Sequence, residues 1–414
     1  AARPGADIGP EDRDAIAAYL AGRGKSPPAA GVVTAAGAVA ELPPPAVAEP
    51  PGFSAFATIS PVWRGGGSAV QNNGFFPEMF VGASWQGNSP LSLRATACAS
   101  CHGSGEPGFL NRIELVEAVA RVDLAEALGP DVCREMRAAV EAGRFVVPFG
   151  AFSAQVNPGL YRTVSAPLIF NMGRRVRDGD IGDPVLPMPY SDEGVVLSLG
   201  RTLLDLDGQP LCGTLDVYAV NGLVGDAGGI DMDRSRDYVD NNGRPAFGAR
   251  ATVGAPFLRL GASVTGGQFS DAPLTDAPRP LRYLIYGFDL AAQYHDLFRF
   301  QAEYARRNSD RFDPDSGVLV REYVHGYYLE TECRLEEGSP VSFLGRFDWM
   351  GRGSPLPVDE SVLPTGHFSA RRLTAGINIA LFGRGLLMLD YERWLMPAGI
   401  PNQNVFGVRF AVTY

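Results

Sequence analysis

The last eleven residues, NVFGVRFAVTY (404–414), carry the pattern on which the fold turns. Phe406, Val408, Phe410, Val412 and Tyr414 fall on one side of an extended chain; Gly407, Arg409, Ala411 and Thr413 fall on the other. A spacing of two is that of a strand with one apolar and one polar face. Followed backwards, the pattern recurs as far as residue 53 in stretches of about ten residues set off by turn formers, which is how a barrel that crosses a membrane with strands is written. Sixteen strands are expected, at 53–64, 74–87, 89–97, 111–126, 136–149, 192–204, 211–222, 244–255, 257–269, 282–296, 298–309, 322–335, 341–352, 367–382, 386–396 and 404–414.

Alternation does not by itself separate such a barrel from a soluble sandwich. The connections do. Even-numbered strands are followed by short links, among them GNSP, DLDGQP, AP, HDL and EEGSP, whereas odd-numbered strands are mostly followed by long ones, including residues 150–191 and VGDAGGIDMDRSRDYVDNNGRP. Tight turns at one end and extended loops at the other are what a membrane barrel requires, and a sandwich has no reason to sort its loops this way. The expected class is therefore all-β, a 16-stranded transmembrane β-barrel over 53–414 with a short N-terminal helix.

Composition agrees and excludes little else. No run approaches the roughly 20 apolar residues of a spanning helix. A formal charge of -10 argues against nucleic acid as a partner. Five cysteines in 414 residues are too sparse for a disulfide scaffold. Before the barrel, IGPEDRDAIAAYLAGRG reads as one helix with acidic residues in its first turn and glycine stops, within a segment 1–25. Residues 26–52 are a Pro/Ala-rich linker that cannot build a core. The opening AARPGADIGPEDRD has neither a basic nor an apolar leader region, the reading of a mature chain or of one without its natural start.

Three stretches resemble known families. RAAVEAGRFVVPFGAF (137–152) resembles the early strands of phosphate-selective porins, in which a G-[KR]-F-x-x-P-F-G segment leads into a long loop, and DVYAVNGL (216–223) looks like a later strand of that group. Terminal Tyr414 resembles the signal read by the barrel-insertion machinery, which implies an integral protein of the bacterial outer membrane in contact with its lipid. DIGPEDRDAIAAYLAGRGKSPP resembles the last helix of a class I cytochrome c domain, so 1–25 reads either as the remnant of such a domain or as an ordinary amphipathic helix.

The remaining motif is chemical. Cys98, Cys101 and His102 in ATACASCHGS have the C-x-x-C-H spacing of c-type haem attachment: two thiols for the vinyl groups and a histidine for the iron. A Cys98–Cys101 disulfide is an alternative; a zinc site would need further nearby ligands, and none appear. The strand before the motif would turn Leu91, Leu93, Ala95 and Ala97 outward and Ser92, Arg94, Thr96 and Cys98 into the lumen. Candidates for the sixth iron ligand are Met172 or Met188 in the long third loop, then Met79, then His367; packing is the commoner fate of each methionine. His295 falls in a short turn, and His325 shares an outward face with Tyr323 and Tyr327.

A haem inside a barrel resembles the outer-membrane cytochrome–porin fusions. That family implies haem c, electron transfer between an extracellular donor or acceptor such as Fe(II) and periplasmic c-type cytochromes, and an iron oxidoreductase activity. In that family the haem segment precedes the first strand, whereas here it follows the third. The rival expectation is a passive porin for anions or small solutes, with the motif structural or incidental. Cys133 and Cys212, both in short turns, could form a disulfide, and Cys333 reads as lipid-facing. Asp231, Asp233 and Asp237 in the loop 225–242 could hold a divalent cation, although a solvated loop is the simpler reading. Arg144, Arg201 and Arg372 could line an anion path or pair with lumen carboxylates such as Glu330 and Glu332.

Overall fold

In the computed structural model the alternating segments pair into one closed antiparallel sheet. The structure describes residues 52–66, 74–87, 89–99, 113–124, 127, 136–170, 184–206, 209–232, 234–236, 240–353, 367–382, 384–396 and 401–414. The barrel strands are β1 (Gly52–Gly66), β2 (Gly74–Gln86), β3 (Leu91–Ala99), β4 (Ile113–Asp123), β5 (Met136–Val146), β6 (Ser191–Leu206), β7 (Gln209–Val220) and β8 (Ala246–Ala255). They continue as β9 (Leu258–Ser270), β10 (Leu281–Tyr294), β11 (Phe298–Asp313), β12 (Val318–Arg334), β13 (Val341–Gly353), β14 (His367–Leu381), β15 (Gly385–Leu395) and β16 (Gln403–Thr413). Every expected strand is present. The largest boundary changes lengthen β11 and β12 by four residues each at their shared hairpin; β4 and β5 end three residues early, and β3 runs two residues further, so that Cys98 lies inside the strand. A two-residue hairpin (Gly225–Asp226 with Gly229–Ile230) and a one-turn helix (Ala272–Thr275) stand in the long loops.

Closure is made by β1 and β16, from Thr58 opposite Thr413 to Gly66 opposite Val405. Ala57 and Tyr414 exchange both backbone hydrogen bonds at 3.1 and 2.9 Å. A closed ladder leaves no strand edge with unpaired donors, which is what permits strands to cross hydrocarbon.

The period-2 pattern sorts the wall into two faces. Phe247, Phe288, Val264 and Phe406 stand outward and are 63%, 59%, 44% and 54% exposed, an apolar surface far larger than a water-soluble protein tolerates. The inward face carries Arg346, Asp348, Arg372, Asp390 and Arg409, all buried. As expected, His325 and Cys333 belong to the outward face, and His295 lies in the turn between β10 and β11.

Not every inward position is polar. Ile285, Ala305, Val324, Met350, Ala370 and Met388 face the lumen and form one apolar cluster with Phe149, Phe152, Leu168, Ile169, Phe170 and Leu186 of the third long connection. That connection therefore folds into the barrel and packs an apolar underside against one wall. Burial of this kind is worth about 25 cal/mol per Å², so a handful of such side chains suffices to hold it there.

Candidate functional site

The inward loop, described over 147–170 and 184–190, is the centre of the site. Its start is fixed by the GRFVVPFG segment. Gly150 takes a φ of +62°, which favours glycine, and turns the chain off the end of β5. The turn presents three successive backbone donors to the opposite wall. Gly150 N–H donates to Ser263 Oγ at 3.0 Å, and Ala151 and Phe152 N–H donate to one oxygen of the Glu303 carboxylate at 3.1 and 3.0 Å. Tyr328 hydroxyl donates to the same oxygen at 3.3 Å, and Phe152 packs on Phe170 and Tyr328 with ring centroids 5.2 and 6.3 Å apart.

Further along, residues 162–168 are held by their backbone. Val164 N–H donates to Asp390 at 2.6 Å and Leu168 N–H to Asp348 at 3.0 Å. Arg409 and Arg64 donate to the Val164 carbonyl at 2.9 and 3.2 Å, Arg372 to the Ala166 carbonyl at 2.6 Å, and Asn378 to the Arg162 carbonyl at 2.9 Å. Ser165 hydroxyl bonds Glu392 and accepts from Arg346 and Arg372, each at 3.0 Å. Asp348 accepts from Arg346 Nε and Arg372 Nε, both at 3.0 Å. Arg409 also pairs with Glu78. These charges act as positioning groups: they satisfy one another and clamp a stretch of main chain that has no secondary structure of its own. Gly407 leaves a dimple in the wall for Val164, whose methyl would lie 2.9 Å from an added Cβ.

At the loop's return, Tyr190 is buried and its carbonyl accepts from Val147 N–H at 2.7 Å, closing the base. Burial raises the Tyr190 phenol far above its ordinary value, so it stays protonated.

Toward the short-turn end, the wall formed by β3 to β5 is polar on its inner face. Arg94 binds Glu141 with two bonds of 3.1 and 2.7 Å, Arg121 binds the same carboxylate at 2.7 Å, and Glu117 lies 3.5 Å from Arg94. Arg121 is 39% exposed on its side chain. At the short-turn rim, Ser54, Ser84, Ser92, Arg94, Val119 and Arg121 help line a cavity of about 470 Å³.

The candidate residues read from sequence distribute unevenly over this framework. Ser92, Arg94, Thr96 and Cys98 do face inward, and Leu91, Leu93, Ala95 and Ala97 outward. Cys101, His102, Met172 and Cys133 lie outside the described residues, as do Asp233, Asp237 and residues 1–51. Met188 is buried in the apolar cluster, and its sulfur accepts the Tyr161 hydroxyl at 4.0 Å. Met79 is corrected to the outward face, 44% exposed, and so is turned away from any lumen group. His367 opens β14 opposite Gly353. Cys212 is a free thiol, which removes the proposed Cys133–Cys212 bridge; Cys333 is also free. Asp231 accepts from Arg234 N–H at 3.0 Å, and no metal-ligating cluster occurs among the described residues. Arg144 is paired with Glu193 at 2.6 Å and Arg372 with Asp348, while Arg201 is exposed near the short-turn end of β6. Pairing rather than an open cationic path is therefore the fate of Arg144 and Arg372. Glu330 and Glu332 pair with Arg346 and Arg162, each at 3.5 Å.

A c-type haem would be joined through Cys98 and Cys101. Here the Cys98 sulfur is in a disulfide, and the side chain is 1% exposed, enclosed by Phe80, Val116, Val146 and Val156. A thioether would need that same sulfur, so a disulfide at Cys98 and a haem attached there exclude one another.

The loop clamp was missed by sequence reading, although one signal pointed to it. Ile285, Ala305, Val324, Met350, Ala370 and Met388 are apolar at inward positions of strands whose same face carries Glu303, Arg346, Asp348, Arg372 and Asp390, and such apolar inward residues mark where the lumen is filled by protein.

No family model matches the chain, and no curated protein matches it. Solved structures do. OmpF of Salmonella typhi superposes with a TM-score of 0.57 at 12% identity, covering 87% of this chain and 97% of that one. The anion-selective porin of Comamonas acidovorans gives 0.54 at 9%, covering 88% and 100%. The outer-membrane channel DcaP of Acinetobacter baumannii gives 0.51 at 9%, covering 88% and 97%. At these identities the likeness is one of fold: the chain has the closed 16-stranded barrel of the porins.

Proposed function

We propose that this chain is a passive channel of the bacterial outer membrane for anions or small hydrophilic solutes, in which Cys98 serves a structural disulfide. The observation that carries this reading is the inward loop, described over 147–170 and 184–190. Its described parts are clamped by buried charges of β11 and β13 to β16, and Val156 packs with Phe80, Cys98, Val116 and Val146, while the short-turn part of the wall of β3 to β5 keeps a polar face with a part-exposed Arg121. A segment fixed inside a closed barrel narrows the passage, which is how a rigid sieve discriminates by size. Glu141 neutralises Arg94 and Arg121 in part, so this wall holds local dipoles rather than a field of one sign.

A second reading keeps one observation in its favour: Cys98 stands on the inward face directly before Cys101 and His102. On that reading a haem c would pass electrons between an extracellular donor or acceptor, Fe(II) among them, and periplasmic cytochromes. One preparation separates the two, the full chain matured in a host that attaches c-type haem and reconstituted in planar bilayers. A channel gives stepwise ohmic conductance and a haem-free band on denaturing gels. A covalently stained band with a reducible c-type spectrum overturns the channel reading in favour of the conduit.

A further inference from the structure

The outward face of the barrel is apolar over most of its area; Arg201 stands outward near the short turns of β6 and Arg282 at the long-loop end of β10, and a denser group of outward cations lies in β11 to β15. The outward positions of β1 to β3 and of β7 to β9 carry no charged residue among the described residues. Within β11 to β15, Arg306, His325, Arg371 and Arg393 stand at outward positions of β11, β12, β14 and β15, with Arg321 above them on β12, 3.7 Å from Asp310. Arg306 is directly opposite His325; Arg371 is opposite Trp349, and Arg393 opposite Leu373. Aromatic side chains are interleaved with them: the Arg306 guanidinium lies 4.7 Å over the Tyr323 ring, and His325 packs edge-on to Trp349 at 4.7 Å and Tyr323 at 5.4 Å.

These cations share a depth. From Phe298 at the short-turn end of β11 to Arg306, at ~3.4 Å per residue and a tilt of ~40°, is a height of roughly 21 Å, close to the ~25 Å apolar band of a membrane barrel. The outward residues below them are apolar or aromatic: Phe300, Ala302 and Tyr304 under Arg306, Leu373, Ala375 and Ile377 under Arg371. The cations therefore stand at the upper edge of the hydrocarbon, where an aromatic girdle and snorkelling basic side chains meet headgroups. The outward carboxylate above them, Asp310, is already held by Arg279 at 2.7 Å.

We propose that this sector of β11 to β15 is a binding site for the phosphate of an anionic outer-leaflet lipid, with Arg306, Arg371 and Arg393 as its cationic contacts. A guanidinium fork matches phosphate oxygens and is bound more strongly at the edge of a low-dielectric phase than in water. A second copy of the chain is a poorer occupant. It would have to bring carboxylates to the patch, and the uncharged sectors β1 to β3 and β7 to β9 have none to offer.

The test is the thermal-unfolding midpoint of the full chain in detergent, titrated with lipid A, with phosphatidylcholine and with inorganic phosphate, together with native mass spectrometry to count retained lipid and copies. Lipid A raises the midpoint of the wild type; phosphatidylcholine and inorganic phosphate do not. At about a factor of five per arginine, R306Q/R371Q/R393Q binds lipid A roughly a hundredfold more weakly, with channel conductance unchanged. Should that variant fail to fold, R306K/R371K/R393K, which keeps the charges, and loss of the wild-type shift with added salt serve instead. Equal shifts from lipid A and phosphatidylcholine, an equal shift from free phosphate, or a glutamine variant that keeps lipid but loses copies would each overturn the proposal.

Discussion

Glu303→Ala isolates what holds the loop inside the barrel. One carboxylate oxygen of Glu303 accepts the Ala151 and Phe152 N–H groups at 3.1 and 3.0 Å, and Tyr328 hydroxyl at 3.3 Å. Alanine leaves both amides buried without an acceptor, at about 1–3 kcal/mol each, so docking of the loop weakens by roughly 2–6 kcal/mol. The barrel ladder is untouched, because Glu303 remains paired through its backbone with Asp289 and Tyr328. The expected result is a folded barrel whose loop 147–190 becomes accessible to protease and whose single-channel conductance rises and becomes noisy. Glu303→Gln supplies the control: its amide oxygen can still accept from both N–H groups, so protection and conductance stay near wild type. If Glu303→Ala kept the wild-type conductance and loop protection, the clamp would not be what positions the loop, and apolar packing alone would carry it.

Other consequences follow from the same geometry. Arg346 and Arg372 both serve Asp348 and Ser165, so each Met substitution should cost less than the ~3–5 kcal/mol of an isolated buried pair, while the double variant should lose more than the sum of the two, read in a double-mutant cycle of loop protection. Gly407→Val should push Val164 off its dimple and loosen the loop by about 1–3 kcal/mol, seen as faster loop cleavage with no change in barrel melting. Val264→Arg, on the outward face of β9, should destabilise folding into vesicles by about 2–4 kcal/mol in a denaturant titration. Cys98→Ser should leave the barrel closed and conducting, and its intact mass, compared with wild type under reducing and non-reducing conditions, reads the disulfide directly.

The strands and their two faces were legible in the chain itself. A period of two is local, and a strand that crosses hydrocarbon can satisfy its alternation in only one register, so NVFGVRFAVTY already announces which of its side chains meet lipid. Loop parity added the two ends of the barrel, because antiparallel neighbours need only a tight turn on one side. The same alternation puts Cys98 on the inward face. What tertiary structure alone decided is how the lumen is filled. Glu303 and Asp348 lie in different strands, far in sequence from Phe152 and Leu168, and nothing in local spacing says that a carboxylate will find a backbone amide across the barrel. Cys212 needed its neighbours to be known as a free thiol. Alternation tells each residue which side of the wall it is on; only closure of the wall brings opposite sides close enough for their charges to choose partners.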